Sequence, residues 1–413
     1  MSLTDGPDAP PGRRDHPDSV ARPVEPRRRP GTDSSQEPSR NGDEMEHGEI
    51  EGDGVRLRPY RDTDVADLVA ACNDPLVRRF LSGLPSPYTE ADARRWITET
   101  APAVAAGGGA AYAVTDPDSD RLLGAVGVDR LVSIRQQAEI GYWVAPWARG
   151  RGVATAATRT LARHAFANGL ERLELLTDGD NVASQRVALA AGFRHEGVRR
   201  AAAPRHGGGR YDLIAWVRLA DDPPGPAPRL LPDLPPGGLT DGVVALRPTG
   251  PDDVDLMFRL HTLPEVVANR VPPEPPSRPE VEQRCRRAAS SWLIGTVADL
   301  VVVDVASGEA GGGMALRYDE PLTGQAMLGA SMLPEWRGRG LLTRGVRLLA
   351  DWAFDTVGVA RLWAGCRPDN LAPQRVLEKV GFRREGVQRD RLPGPDGTRV
   401  DSVIYAFLPG ERT

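Results

Sequence analysis

Residues 139–166 read EIGYWVAPWARGRGVATAATRTLARHAF. A strand-like stretch ends at Val144, a glycine-rich turn occupies Arg149–Gly152, and apolar residues then recur at helical spacing at Ala157, Leu161 and Ala165. Strand, turn and helix in that order aim the free N–H groups of a helix's first turn, with the positive end of its dipole, at one spot. Gly150 and Gly152 allow a ligand close to the main chain, and Arg149 and Arg151 add positive charge. The stretch therefore has the make-up of a diphosphate cradle, although an isolated turn of this kind also fits a plain strand-to-helix connection with solvated arginines. No GK[ST] follows and no GxGxxG is present, so neither a P-loop nor a Rossmann site is expected.

Working outward, the same pattern occurs twice. RGRG at Arg149–Gly152 returns at Arg337–Gly340, and NVASQRVALAAGFRHEGV (181–198) returns as NLAPQRVLEKVGFRREGV (370–387). DGVRLRPYRDTDV (53–65) returns as DGVVALRPTGPDDV (241–254). Partners stand 189 residues apart at Leu57/Leu246, Asn181/Asn370 and Asp212/Asp401, and 188 apart at Arg149/Arg337. Register held over that distance marks a duplicated domain. Each copy alternates strand and helix signals: in the first, strands at 55–58, 110–115, 122–128, 138–144, 173–177 and 210–217, with helices at 152–168 and 184–190. This predicts an α/β fold of the α+β kind, a mixed sheet with helices on its faces.

The flanks are different in kind. Residues 1–50 hold almost no large apolar side chains and are expected to be a disordered tail. Residues 221–238, DDPPGPAPRLLPDLPPGG, are expected to be a stiff proline-rich linker between modules at 51–220 and 239–413. The 413 residues suit two domains, and a net charge of −5 gives no reason to expect nucleic acid or an anionic membrane as partner. Cys72, Cys285 and Cys366 form no CxxC pair, so no zinc site or disulfide framework is expected. With no signal-peptide or membrane-spanning run, the reading is a cytoplasmic protein without a metal.

Six features together resemble the GNAT superfamily of acetyltransferases, in particular the RimJ/RimL-like ribosomal-protein-alanine N-acetyltransferases. They are LRP (57–59), NDP (73–75), EIGYWV (139–144), RGRGVA (149–154), NxxS (181–184) and AGFRHEGV (191–198). The resemblance implies two tandem GNAT folds using acetyl-CoA as co-substrate. It implies that the backbone of Arg149, Gly150, Arg151, Gly152, Val153 and Ala154 holds the diphosphate, matched by Arg337, Gly338, Arg339 and Gly340 in the second copy. The strand ending at Val144 should splay from its neighbour so that pantetheine enters like an extra strand, with the Val144 N–H polarising the thioester carbonyl. Asn181, and Asn370 in the second copy, would bond the pantetheine arm, and Ser184 would protonate the departing thiolate.

An amine acceptor must lose a proton before it attacks a thioester. Glu139, on the strand lining the cleft, is the candidate base, directly or through a water; the bland alternative is an arginine-paired strand glutamate. Asn181 and Ser184 stand at a strand-to-helix junction, where helix capping is the competing role. In the second copy Met327 replaces Glu139, Leu342 takes a small-residue place and Pro373 replaces Ser184. That copy is therefore expected to be non-catalytic, or to use other groups such as Tyr318 or Tyr405. The function expected is acetyl transfer from acetyl-CoA to a primary amine, on a protein N-terminus or a small molecule, by direct attack in a ternary complex. The competing reading is a non-catalytic acetyl-CoA-binding scaffold, or one active module beside a degenerate one.

Overall fold

The computed structural model describes residues 48–412, apart from 82, 206, 207, 395 and 396. The tail expected at 1–50 thus lies almost wholly outside the described residues.

Two eight-stranded mixed sheets carry the two copies. The first contains β1 (Ile50–Gly52), β2 (Val55–Arg58), β3 (Ala110–Thr115), β4 (Leu122–Val132), β5 (Gln137–Val144), β6 (Arg172–Asp178), β7 (Arg194–Pro204) and β8 (Arg210–Leu219), in the order β1-β2-β3-β4-β5-β6-β8-β7. The second contains β9 (Leu239–Thr240), β10 (Val244–Pro248), β11 (Val297–Asp304), β12 (Ala310–Glu320), β13 (Gln325–Met332), β14 (Arg361–Cys366), β15 (Arg383–Pro393) and β16 (Arg399–Phe407). Its order, β9-β10-β11-β12-β13-β14-β16-β15, is the same topology. β7 and β15 were not expected as strands. They are exposed edge strands with little apolar alternation, and their pairing partner, not their own sequence, makes them strands.

On one face of the first sheet lie α1 (Val65–Cys72), α2 (Pro75–Phe80), α3 (Glu90–Arg95) and α4 (Ala101–Ala106); on the other lie α5 (Val153–Ala167) and α6 (Val182–Ala190). The second sheet carries α7 (Val254–His261), α8 (Pro264–Val267) and α9 (Arg278–Leu293) as counterparts of the former, and α10 (Leu341–Trp352) and α11 (Leu371–Val380) of the latter. Alternation along β5 decides the sides. Ala138, Ile140, Tyr142 and Val144 pack with the α5 cluster, while Trp143 packs with α1 and α3, so Glu139 and Gly141 share its face. Leu57, Leu161, Leu173 and Trp216 are fully buried at the centre, each contributing about 1.5–3 kcal/mol by leaving water.

The LRP strand end has a purpose of its own. Arg58 is buried and makes a two-pronged ion pair with the buried Asp64, both bonds 2.8 Å, and a third bond of 2.8 Å to Asp120. The proline-rich segment 221–238 is fastened in its middle, to the first core and to the second. Ala227 N–H donates to Leu189 of α6 at 2.8 Å, Leu231 is buried in the second core, and Trp292 Nε1 donates to Pro232 O at 2.9 Å.

Candidate active site

β5 and β6 run parallel and pair only at Gln137–Glu139 against Arg172–Glu174. Beyond that point β5 continues along β4 and β6 continues along β8, so the two diverge and a cleft opens between them. Ala145 N–H donates to Leu123 O at 2.8 Å, toward β4. Strand alternation therefore turns the Val144 N–H the other way, into the cleft. The second copy repeats this geometry. β13 pairs with β14 only at Gln325–Met327, and Leu333 N–H donates to Gly311 O at 2.9 Å, which turns Met332 N–H into the matching cleft.

Below each cleft sits the glycine turn. Gly150 and Gly152 have φ of 73° and 78°, and Gly338 and Gly340 have 76° and 79°, left-handed values that favour glycine. α5 and α10 each start on a glycine that supplies no side-chain cap, so the amides of their first turns remain for a ligand. In the first copy a cavity of about 400 Å³ is lined by Arg151, Gly152, Val153, Thr155 and Ala156. The arginine side chains are less committed to a phosphate than their positions suggest. Arg149 ion-pairs with Asp74, the residue capping α2, and Arg337 with Glu265 of α8. Arg149 and Arg337 thus tie the two turns to α2 and α8, and the groups left at each turn to meet an anion are its backbone amides.

Asn181 caps α6: its Oδ1 accepts from Ser184 N–H at 3.1 Å. The capping role is real, and it leaves the Asn181 amide NH₂ for other partners. Ser184 Oγ lies 2.8 Å from the hydroxyl of Tyr142, which burial keeps protonated by pushing its pKa well up. Tyr142 was not singled out in the sequence. Its alternation onto the α6 side of β5 was the available signal.

Glu139 is half-buried, on the opposite face from Ser184, and Arg130 Nη1 donates to it at 2.7 Å. Burial raises its pKa and Arg130 pulls it back, with a net rise. Its lateral neighbour on β6 is the buried Glu174, which is paired with Arg199. The structure thus places Glu139 on the α1 side of the cleft and Ser184 on the α6 side. His195 lies in β7, edge-on to Trp216 at 5.6 Å, and is a packing residue.

In the second copy one cavity of about 740 Å³ runs from Gly338 and Gly340 past Met327, Gly329 and Met332 to His261, Arg284 and Asp299. Asn370 and Pro373 line it also. Arg284 makes bonds of 3.3 and 2.6 Å to Asp299 and lies 3.5 Å from His261 Nε2. Burial, helped by Arg284 and Arg270, brings the His261 pKa down to about 4. These three residues come from α7, α9 and β11 and were not singled out in the sequence. Tyr405 does not line the cavity; its hydroxyl donates to Glu378 at 2.9 Å. Tyr318 packs at the edge of the core.

The family model for an acetyltransferase (GNAT) domain matches the chain twice, at residues 55–194 and 244–383. The chain belongs to the GNAT acetyltransferase family. An uncharacterized N-acetyltransferase of Bacillus subtilis (strain 168), YoaA, is 31% identical over 154 residues, covering 37% of this chain and 85% of its own length. YjcK of the same organism, a probable N-acetyltransferase, is 42% identical over 83 residues, 20% of this chain and 45% of its own. The Escherichia coli (strain K12) ribosomal-protein-serine acetyltransferase is 34% identical over 84 residues, 20% of this chain and 47% of its own. For most of these relatives the chain spans only about half of their length. Among solved structures, the GNAT-family RimL L7/L12 α-N-protein acetyltransferase in complex with coenzyme A is 18% identical, covers 42% of this chain and 97% of its own, and has a TM-score of 0.37. Among the described residues, no helix is long and apolar enough to cross a membrane, and no three His, Cys, Asp or Glu side chains are grouped to hold a metal.

Proposed function

We propose that the chain transfers acetyl from acetyl-CoA to a primary amine by direct attack in a ternary complex, with the first module, residues 51–220, as a catalytic unit. The observation that carries this is the β5–β6 divergence directly above the Gly150–Gly152 turn. The amides of Gly152, Val153 and Ala154 would hold the diphosphate, and the free edge of β5 would pair with the pantetheine amides. The Val144 N–H would bond the thioester oxygen and gain strength as that oxygen becomes an oxyanion.

The amine then approaches from the α1 side, where Glu139 takes its proton. The nitrogen lone pair attacks the thioester carbon, the C–N bond forms and the C–S bond breaks. The thiolate leaves on the α6 side, where Ser184, bonded to Tyr142, returns a proton to sulfur. Placing base and acid on opposite faces suits a reaction whose nucleophile and leaving group sit on opposite sides of the carbonyl. The ribosomal-protein acetyltransferases among the relatives support an amine acceptor, as a protein N-terminus or a small molecule.

The test is thiol release from acetyl-CoA by the full chain with a panel of primary amines, before and after Gly141→Trp. Gly141 shares the face of β5 that carries Glu139 and Trp143, and a Cβ there meets nothing within 4 Å, so the substitution puts an indole on the acceptor side. Loss of release for amines used by the first module is expected; unchanged release across the panel would refute the assignment.

A further inference from the structure

The two modules have the same strand order and differently furnished acceptor faces. Thr89 and Ser277 cap matching helices, and the seventh residue after each is Trp96 in the first module and Arg284 in the second. α1 ends in Cys72 where α7 ends in His261. Strand register matches Ala111 with Asp299, Trp143 with Ser331 and Asp129 with Arg317. It also matches Glu139 with Met327 and Glu174 with Trp363.

The first module's acceptor side is therefore packed with Tyr60, Tyr88 and Trp143, with Trp96 edge-on to Tyr60 at 6.0 Å, and is bordered by three carboxylates, Asp129, Glu139 and Glu174. The second is open, with Arg284 and Arg317 on its wall and Asp299 as the buried carboxylate facing them. Glu265, also on the wall, is already paired with Arg337. Asp299 is almost fully buried while the Arg284 side chain is 44% exposed, so the guanidinium is held from behind and presents its outer edge. Thr249, 6% exposed on the same wall, has a hydroxyl with no hydrogen-bond partner among the described residues.

We propose that the second module's cavity is an acceptor site for a small amine that carries a carboxylate, with Arg284 receiving the carboxylate and His261 receiving the amine. This rests on the acetyltransferase reading above. Arg284 is matched by Asp299, so it is Arg317 beside that pair that leaves the wall positive and favours an anion there, and the N–H bonds of the fixed Arg284 guanidinium that Asp299 does not take offer a carboxylate charge-assisted bonds. The same positive surroundings, with burial, hold the His261 ring neutral, so it does not repel an amine; its Nε2 lone pair faces Arg284 Nη1 at 3.5 Å, and an amine N–H would share or displace that contact. The first module, which has Asp129 and Trp96 where the second has Arg317 and Arg284, favours amines without a carboxylate. The chain would thus serve two chemically distinct amines from one acyl donor.

The experiment uses the full chain carrying Gly141→Trp, which leaves only the second cleft open, and measures thiol release with an amino acid and with the amine made by removing its carboxylate. Phenylalanine with phenethylamine and glutamate with 4-aminobutyrate are suitable probes. At least a tenfold preference in kcat/KM for the α-carboxylated partner is expected. Arg284→Trp with Asp299→Ala, which installs the first module's residues and leaves no unpaired buried charge, should erase that preference, the loss in kcat/KM falling on the carboxylated partner. Gly329→Trp, at the matching open position in the second cleft, should abolish it. Equal use of both partners overturns the proposal, as does a Gly141→Trp protein that binds acetyl-CoA at the second cradle yet releases no thiol with any probe. Absence of acetyl-CoA binding at both cradles of the unsubstituted chain would instead sink the acetyltransferase reading itself.

Discussion

The two modules agree where they would meet the acyl donor and disagree where they would meet the acceptor. Gly150/Gly152 and Gly338/Gly340 take the same left-handed conformations, and β5–β6 and β13–β14 separate after the same three pairs. Across the sheet, Trp96, Cys72, Ala111 and Trp143 stand opposite Arg284, His261, Asp299 and Ser331. A cradle made of backbone amides constrains only chain direction and glycine placement, so side chains around it can vary without cost. An acceptor pocket made of side chains is free to change its chemistry one residue at a time. The difference teaches that loss of Glu139 and Ser184 in the second module is a weak sign of decay, since the same module holds a cavity of about 740 Å³ walled by His261, Arg284 and Asp299, where the first has Cys72, Trp96 and Ala111.

The comparison can be broken most severely at Glu139. Glu139→Gln removes the proposed base and should lower first-module kcat/KM about 10²–10⁴-fold, the usual worth of general-base catalysis, while leaving turnover of carboxylated amines untouched. Steady-state rates with one substrate of each kind check this, and an equal loss for both would tie the two modules to one site.

Stability offers a second contrast. Arg58→Met leaves the buried Asp64 without its partner and should cost about 3–5 kcal/mol. Its counterpart Arg247→Met should cost only about 1–2 kcal/mol, because the Arg247 side chain is 44% exposed and water can replace part of the pair with Asp253. Denaturant unfolding of each variant measures the gap.

Ser184→Ala should slow the first module about tenfold, less than most general acids supply because a thiolate departs readily unaided. The smallest effect concerns pH. Glu139 must be ionised to act, and burial raises its pKa while Arg130 lowers it. The acid limb of kcat/KM should therefore lie above that of an ordinary glutamate, and Arg130→Met should move it higher still. A shift toward lower pH would exclude Glu139 as the group being titrated.

Much of this was legible before any coordinates. The 189-residue register shows the duplication, and RGRG between a strand and a helix marks the glycine turn, because both depend on short local patterns. The aromatic and polar acceptor walls were not legible, since Thr249, His261, Arg284 and Asp299 come from distant parts of the chain and only sheet pairing brings them together. The composition of the proline-rich segment carried no hint that Ala227 and Leu231 are buried. Ser184's partner Tyr142 was hidden for a similar reason: in sequence it is one more apolar-side residue of β5, and its role depends on the helix that crosses above it.

The central claim is that two backbone cradles in one chain each grip a diphosphate-bearing thioester. Calorimetric titration of the full chain with acetyl-CoA tests it most directly. Two equivalents should bind, falling to one when either Gly150 or Gly338 is replaced by valine, whose branched side chain disfavours the left-handed backbone each turn requires. A chain that gives no heat with acetyl-CoA at millimolar concentration would contradict the account.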